Sequence, residues 1–239
     1  MSLSAPPSKP RRFYQEAHVV PTPEGFAIHL DGRQARTPGA RALVLPKPAL
    51  ADLVAAEWKA QGDAVDWSTM PATRLAAMAL EAGPAGRARA AETILGYGGS
   101  DLVCYFATHP ASLVARQTDV WGGILDWALA AHGLAFIRVS GVIHRPQPPE
   151  TLAHLAAMLG EADDFTLTGL AFGAPLFGSA VLALALAHGH LDASSATAAA
   201  RLDETFQEAL WGVDPESAQR AQALAADAAS LERWFKALV

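Results

Sequence analysis

The sequence predicts an α+β protein, with a small antiparallel β-rich N-terminal domain followed by a larger, mainly α-helical one. Three observations carry this. His18 to Leu45 alternates short apolar stretches with turn signals, the apolar spacing lengthens to that of a helix after Pro46, and beyond Gly83-Pro84 nearly every segment keeps helical spacing. The chain has 239 residues, 51% of them hydrophobic, which fills a sizeable core and excludes a disordered protein. The expected organisation is a loose Ser/Pro-rich arm over 1–10, a β-rich domain with covering helices over 11–82, and a helical domain over 83–239.

In the first domain, Pro23-Glu24-Gly25, Asp31-Gly32 and Thr37-Pro38-Gly39 are turn signals, and Asp-Gly favours a tight hairpin, so about four short strands form the sheet. Leu50, Leu53, Val54 and Trp58 recur at helical spacing after Pro48, predicting a helix to about Gln61 that covers this sheet. A second helix runs from Pro71 to about Glu81, with Leu75, Met78 and Ala79 inward and Arg74 among them.

In the second domain, helices are expected over Arg87–Tyr97, Asp101–Ala107, Ala111–His132, Thr151–Gly160, Asp163–Phe172 and Leu176–His188, with one extended return over Phe136–Val142. The uncharged run Phe165–Ala187 is long enough for a membrane span. Its Gly169, Gly173, Pro175 and Gly178 instead favour two buried helices meeting at Gly173-Pro175. Asp192 with Ser195 opens a helix to Trp211. Asp214 caps the last one, whose Pro215 suits a first turn and whose Ala221, Ala225, Ala228, Leu231, Phe235 and Leu238 form an apolar stripe.

The balance of 18 basic against 24 acidic residues, a formal net charge of -6, repels a phosphate backbone and argues against a nucleic-acid partner. A single cysteine, Cys104, cannot form an internal disulfide, and a soluble protein of a reducing cytoplasm is the simpler expectation.

No motif carries catalysis. Gly96-Tyr97-Gly98-Gly99-Ser100 lacks the lysine and spacing of a phosphate loop and reads as a helix end, with Ser100 or Asp101 capping the next helix. Cys104 sits among apolar neighbours without a base, and Gly178-Ser179 lacks the glycine pattern of a nucleophile elbow. His188 and His190 near Asp192 offer the alternative of a metal-dependent hydrolase, but a helix end followed by glycine places such residues there for ordinary reasons.

The helix ending at Trp211 is more informative. Leu202, Phe206, Ala209 and Leu210 make its inward face, while Glu204, Glu208 and Trp211 line another edge. That edge admits two readings. It is a solvated acidic face, with Arg201 pairing Glu204 and Trp211 plugging the core, or it is a contact surface in which an aromatic stands beside fixed charges. Trp58 and Arg74 pose the same choice, against core packing and a structural ion pair.

The sequence also resembles the assembly chaperone family that binds the alpha subunit of F-type ATP synthase, the bacterial form of a mitochondrial assembly factor. The residues of this resemblance run in order through nearly the whole chain: Arg12-Phe13-Tyr14, Leu30-Asp31-Gly32-Arg33, Ala56-Glu57-Trp58, Met70-Pro71 with Thr73-Arg74-Leu75, Asp101-Leu102-Val103-Cys104-Tyr105, and Asp203-Glu204 with Phe206-Gln207, Trp211-Gly212 and Asp214. It departs at Ala72, where the family often has leucine, and at Ala76-Ala77, where the run is often more polar. The resemblance implies a non-enzymatic chaperone without cofactor or metal, held transiently on the alpha subunit over its beta-pairing surface. It implies a cytoplasmic bacterial protein whose eukaryotic relatives work in the mitochondrial matrix. On the contact-surface reading of the residues, the expected partner-binding residues are Glu204, Glu208, Trp211, Trp58 and Arg74, and a general holdase for exposed apolar chains is the other non-enzymatic alternative.

Overall fold

The computed structural model describes residues 9–141 and 143–239. Most of the expected arm, and Val142 of the expected extended return, lie outside these. The fold is α+β, and the chain divides into two compact units, one running to Glu81 and including Ala237–Val239, the other spanning Ala82–Lys236.

In the first unit, β1 (Ala17–Thr22) and β2 (Gly25–Leu30) form an antiparallel hairpin with Thr22 opposite Gly25. Asp31 and Gly32, at φ 47° and 78°, make the tight turn into β3 (Arg33–Gln34), and the Asp31 carboxylate accepts from the backbone N–H groups of Gln15 and Glu16. β4 (Val44–Leu45) pairs with the opposite end of β2, Phe26 facing Leu45. Gly25 is required there, because a Cβ would lie 2.4 Å from the Leu45 carbonyl oxygen. α1 (Pro48–Lys59) packs on β1, β2 and β4, and Leu50, Val54 and Trp58 on it are buried, as are Ile28 and Leu45 of the sheet.

α2 (Pro71–Glu81) starts on the Glu57 carboxylate, which accepts from the N–H groups of Ala72 and Thr73 and satisfies donors that a helix start leaves free. Met78, expected inward, is 56% exposed; Ala72, Ala76 and Ala79 supply the buried face instead, and small side chains let that face sit close. Lys9 and Pro10, expected in the arm, are tied down: Lys9 pairs with Asp66 and the Pro10 carbonyl accepts from Val65.

The second unit opens with α3 (Gly83–Gly99), which begins earlier than expected because Pro84 occupies its first turn. Asp101–Ala107 is not a helix. Asp101 caps a single turn over Leu102–Cys104, and the chain then extends as β5 (Tyr105–Phe106). After α4 (Ala111–His132) this strand pairs in parallel with β6 (Val139–Ser140), a non-local partner that no local pattern announces.

α5 (Pro149–Glu161) and α6 (Asp164–Phe177) come next. The break after α6 falls at Gly178-Ser179, not Gly173-Pro175: Pro175 sits inside the last turn of α6, and Gly178 takes the left-handed conformation, φ 66°, that ends the helix. α7 (Ala180–Ala187) is the centre of the unit, with Ala180 to Leu186 all buried. Asp101 accepts from its Val181 N–H, while Ser179 Oγ accepts from Leu182.

Among the described residues no helix is long and apolar enough to cross a membrane. The expected helix from Asp192 to Trp211 is two, α8 (Ala193–Ala200) and α9 (Leu202–Trp211), bent at Arg201. α10 (Pro215–Lys236) then returns along α8 and α6 with Ala228, Leu231, Trp234 and Phe235 buried; Ala225 of its expected stripe is exposed.

Candidate functional site

Burial declines along α9. Leu202 is its only buried residue, Phe206 is half-buried, and Leu210, Trp211 and Val213 are exposed by 61, 82 and 60%. Leu210 therefore does not belong to the inward face expected for it. Trp211 does not plug the core. The helical periodicity holds, but the inclination of α9 away from the body is a tertiary property.

Three contacts brace α9 and the bend before it. The side chain of Gln117 on α4, fully buried, accepts from Ala107 N–H at 2.7 Å through Oε1 and donates from Nε2 to Asp203 Oδ1 at 2.7 Å. Trp121 on the same helix donates from Nε1 to the Ala199 carbonyl at 2.9 Å, just before the bend. Glu208 Oε1 receives both Arg201 Nη2 and Ser217 Oγ at 2.6 Å. The Ser217 hydroxyl, then the Arg201 guanidinium, hold the Glu208 carboxyl below the usual carboxylate range.

Arg201 was expected to pair with Glu204. It pairs with Glu208 because α9 starts only at Leu202, so Arg201 lies outside the helical geometry that spacing assumes. Glu208, expected on the same open edge as Glu204, is largely covered and spent on this internal network, whereas Glu204 is exposed. Past Gly212, Asp214 caps α10 by accepting from Ser217 N–H at 2.9 Å. Glu204, Asp214 and Glu216, on α9, in the loop and at the start of α10, are exposed, and Glu216 pairs with Arg220.

The other expected positions lie elsewhere. Trp58 is 4% exposed in the first unit, edge-on to Tyr14 and Trp67, with its carbonyl accepting from Tyr14 Oη at 2.7 Å. It shapes a core and does not present a surface. Arg74 is exposed on the outer face of α2 with Met78 one turn on, and among the described residues its side chain makes no ion pair.

His190 stacks on Trp127 at 4.5 Å and His188 lies 4.3 Å from the His132 ring; among the described residues no group of three or more ligating side chains could hold a metal. Cys104 is buried, and burial pushes its thiol pKa up, away from nucleophilic use. Gln117 and Ser217 carry no motif that singles them out in the sequence, and Asp203 enters there only through the Asp203-Glu204 pair of the resemblance. The signal that points to Gln117 is its place one turn after Leu113 and one turn before Trp121, on the apolar stripe of α4, since a buried amide needs partners.

An α+β protein that holds an aromatic tip in solvent on a braced helix, and assembles no ligand set for chemistry there, has the character of a binding protein. Residues 11–129 match the model of the ATP12 chaperone protein family. The chain is 37% identical to Atp12 from Paracoccus denitrificans, covering 96% of this chain and 99% of that one with a TM-score of 0.90. A substituted form of P. denitrificans Atp12p gives 36% identity, coverage of 97% and 100%, and a TM-score of 0.90. The Atu1473 protein of Agrobacterium tumefaciens is 41% identical over 96% of this chain and 87% of that chain, with a TM-score of 0.88. The chain belongs to the ATP12 chaperone family, a family of chaperones and not of enzymes.

Proposed function

We propose that this chain is a chaperone of F-type ATP synthase assembly that binds the unassembled alpha subunit transiently and covers the surface later used for pairing with the beta subunit. The contact surface is the α9–α10 corner. The observation that carries this is the 82% exposure of Trp211 on a helix whose other end is fixed. Exposed apolar clusters rimmed by polar residues mark protein contacts, and tryptophan dominates the energy of such contacts.

Trp211 is the anchor, Leu210 and Val213 widen it, and Glu204 is a rim charge. Such a charge fits a partner cleft edged by basic side chains. Glu208 acts as a support at this corner; in the first unit, taken by itself, Trp58 shapes the core and Arg74 is a further candidate contact residue. A subunit of an obligate hetero-oligomer exposes a large apolar interface before it is paired, and such surfaces aggregate. A holder with one strong anchor and a charged rim covers the surface yet releases it. Without a phosphate loop to couple release to a nucleotide, the incoming beta subunit displaces the chaperone. The setting is the bacterial cytoplasm.

Co-expression with the alpha and beta subunits separately tests this. Recovery of soluble alpha subunit co-eluting with the chaperone is the expected result. Equal rescue of unrelated aggregating proteins points instead to a general holdase, and recovery of neither subunit overturns the reading.

A further inference from the structure

We infer that Glu208 is a positioning residue, which fastens the bend before α9 to the first turn of α10 and so fixes the direction in which the Trp211 tip faces. The role of this tip in binding rests on the function proposed above.

The Glu208 carboxylate oxygen Oε1 takes two donors from opposite sides of the corner. Arg201 Nη2, from the bend between α8 and α9, and Ser217 Oγ, from the start of α10, both lie at 2.6 Å, and Arg201 Nη2 also reaches Ser217 Oγ at 3.4 Å. The side chains of Arg201 and Glu208 are only 18% and 17% exposed, so this pair is far better shielded than Arg220 with Glu216 nearby, at 63% and 81%. Shielding matters because exposed pairs contribute little, whereas charge-assisted bonds sharing one covered oxygen hold their geometry.

Little else restrains this end. Residues Ala209 to Glu216 are all exposed, and the connection from Trp211 to Pro215 contains Gly212 at φ 89°. Leu202 packs the near end of α9, and Gln117 holds Asp203 there. The far end, which carries Trp211, depends on Glu208. Without it the last turn of α9 and the loop to α10 are free to fray, and an anchor that must be ordered on binding loses affinity.

Hydrogen exchange of the full-length chain, read on peptides covering 205–217, tests the latch without any partner. Glu208→Ala and Ser217→Ala are expected to raise exchange there at least tenfold while peptides from α7 keep wild-type protection; Ser217→Thr, which retains the hydroxyl, is expected to restore it. Unchanged exchange in both alanine variants overturns the latch.

Affinity for purified alpha subunit then separates the two claims. A tenfold or greater loss in Glu208→Ala, with Ser217→Thr near wild type, supports positioning. Wild-type affinity in Glu208→Ala together with weakened binding in Trp211→Ala overturns positioning and leaves the contact surface standing. Unchanged affinity in Trp211→Ala removes the corner as the contact surface, and with it any role of Glu208 in binding.

Discussion

Gln117 Nε2 donates to Asp203 Oδ1 at 2.7 Å across 86 positions of sequence, joining the middle of α4 to the first turn of α9. Since Gln117 is fully buried and its other amide atom accepts from Ala107 N–H, one side chain ties a strand end, a long helix and the candidate site together. Replacing it with leucine leaves the Ala107 donor and the inner Asp203 oxygen unmatched. Both partners are half-buried, so the expected cost is about 1–3 kcal/mol for the pair together. Urea denaturation of Gln117→Leu measures it, and a midpoint equal to wild type contradicts the bridging role.

Glu204 is exposed at the rim, so Glu204→Gln is expected to leave stability within about 0.5 kcal/mol of wild type. Its effect belongs to association. If alpha subunit is the partner proposed above, its on-rate is expected to fall severalfold at low salt and to converge with wild type as salt is raised, because rim charges steer encounter and are screened. Stopped-flow association at two ionic strengths reads this directly. An unchanged rate at low salt places Glu204 outside the contact.

Gly169 in α6 allows α10 to approach. A Cβ there would meet Phe235 ring carbons at 2.7 and 2.9 Å and Trp234 Nε1 at 2.9 Å. Alanine ordinarily stabilises a helix over glycine by up to about 1 kcal/mol, but rigid rings this close reverse the sign. Gly169→Ala is expected to destabilise by about 1–3 kcal/mol. Gly96→Ala, in α3 with nothing within 4 Å of its Cβ position, keeps the favourable sign. Thermal melts of the two variants shifting in the same direction contradict the packing argument.

His132 at the end of α4 and His188 at the end of α7, whose rings lie 4.3 Å apart, are expected to make stability depend on pH. Burial, then the neighbouring His154, lowers the pKa of His132; burial, then His132, lowers that of His188. His132 Nε2 has no hydrogen-bond partner among the described residues. Burial disfavours the charged form of both rings in the folded chain, while free imidazoles protonate near pH 6.5 once unfolded, so the unfolded state binds more protons below that pH. Their contribution is complete above about pH 6.5 and is lost as pH falls through the depressed folded values. His188→Gln is expected to flatten the fall in stability between about pH 6.5 and 5, measured by denaturant midpoints at stepped pH. An unaltered slope removes this pair as its source.

Local chemistry was legible wherever one residue type decides an outcome. The Asp31-Gly32 turn, the Pro48 and Pro215 helix starts and the Asp192 and Asp214 caps all formed as their residues require. Some misses were local, as at Gly178-Ser179, where a left-handed glycine and a serine cap end one helix and start the next; others depended on distant partners. The strand at Tyr105-Phe106 exists because Val139 and Ser140 pair with it, and the break at Arg201 comes where Trp121 reaches the Ala199 carbonyl.

At the site, periodicity grouped Glu204, Glu208 and Trp211 on one edge, but it carries no information about which carboxylate is answered from another helix. Ser217, nine positions on and beyond a loop, separates Glu208 from Glu204. Trp58 illustrates the same limit. An aromatic beside Glu57 in sequence has the look of an anchor, yet Tyr14 and Trp67 enclose it.

The most direct test is the affinity of purified alpha subunit for the wild-type chain and for Trp211→Ala, measured by isothermal titration with the stability of both proteins checked in parallel. The account predicts an unchanged unfolding midpoint and a loss of about 2 kcal/mol or more, roughly thirtyfold in Kd, for an exposed aromatic anchor. Equal affinity for the two proteins would contradict it.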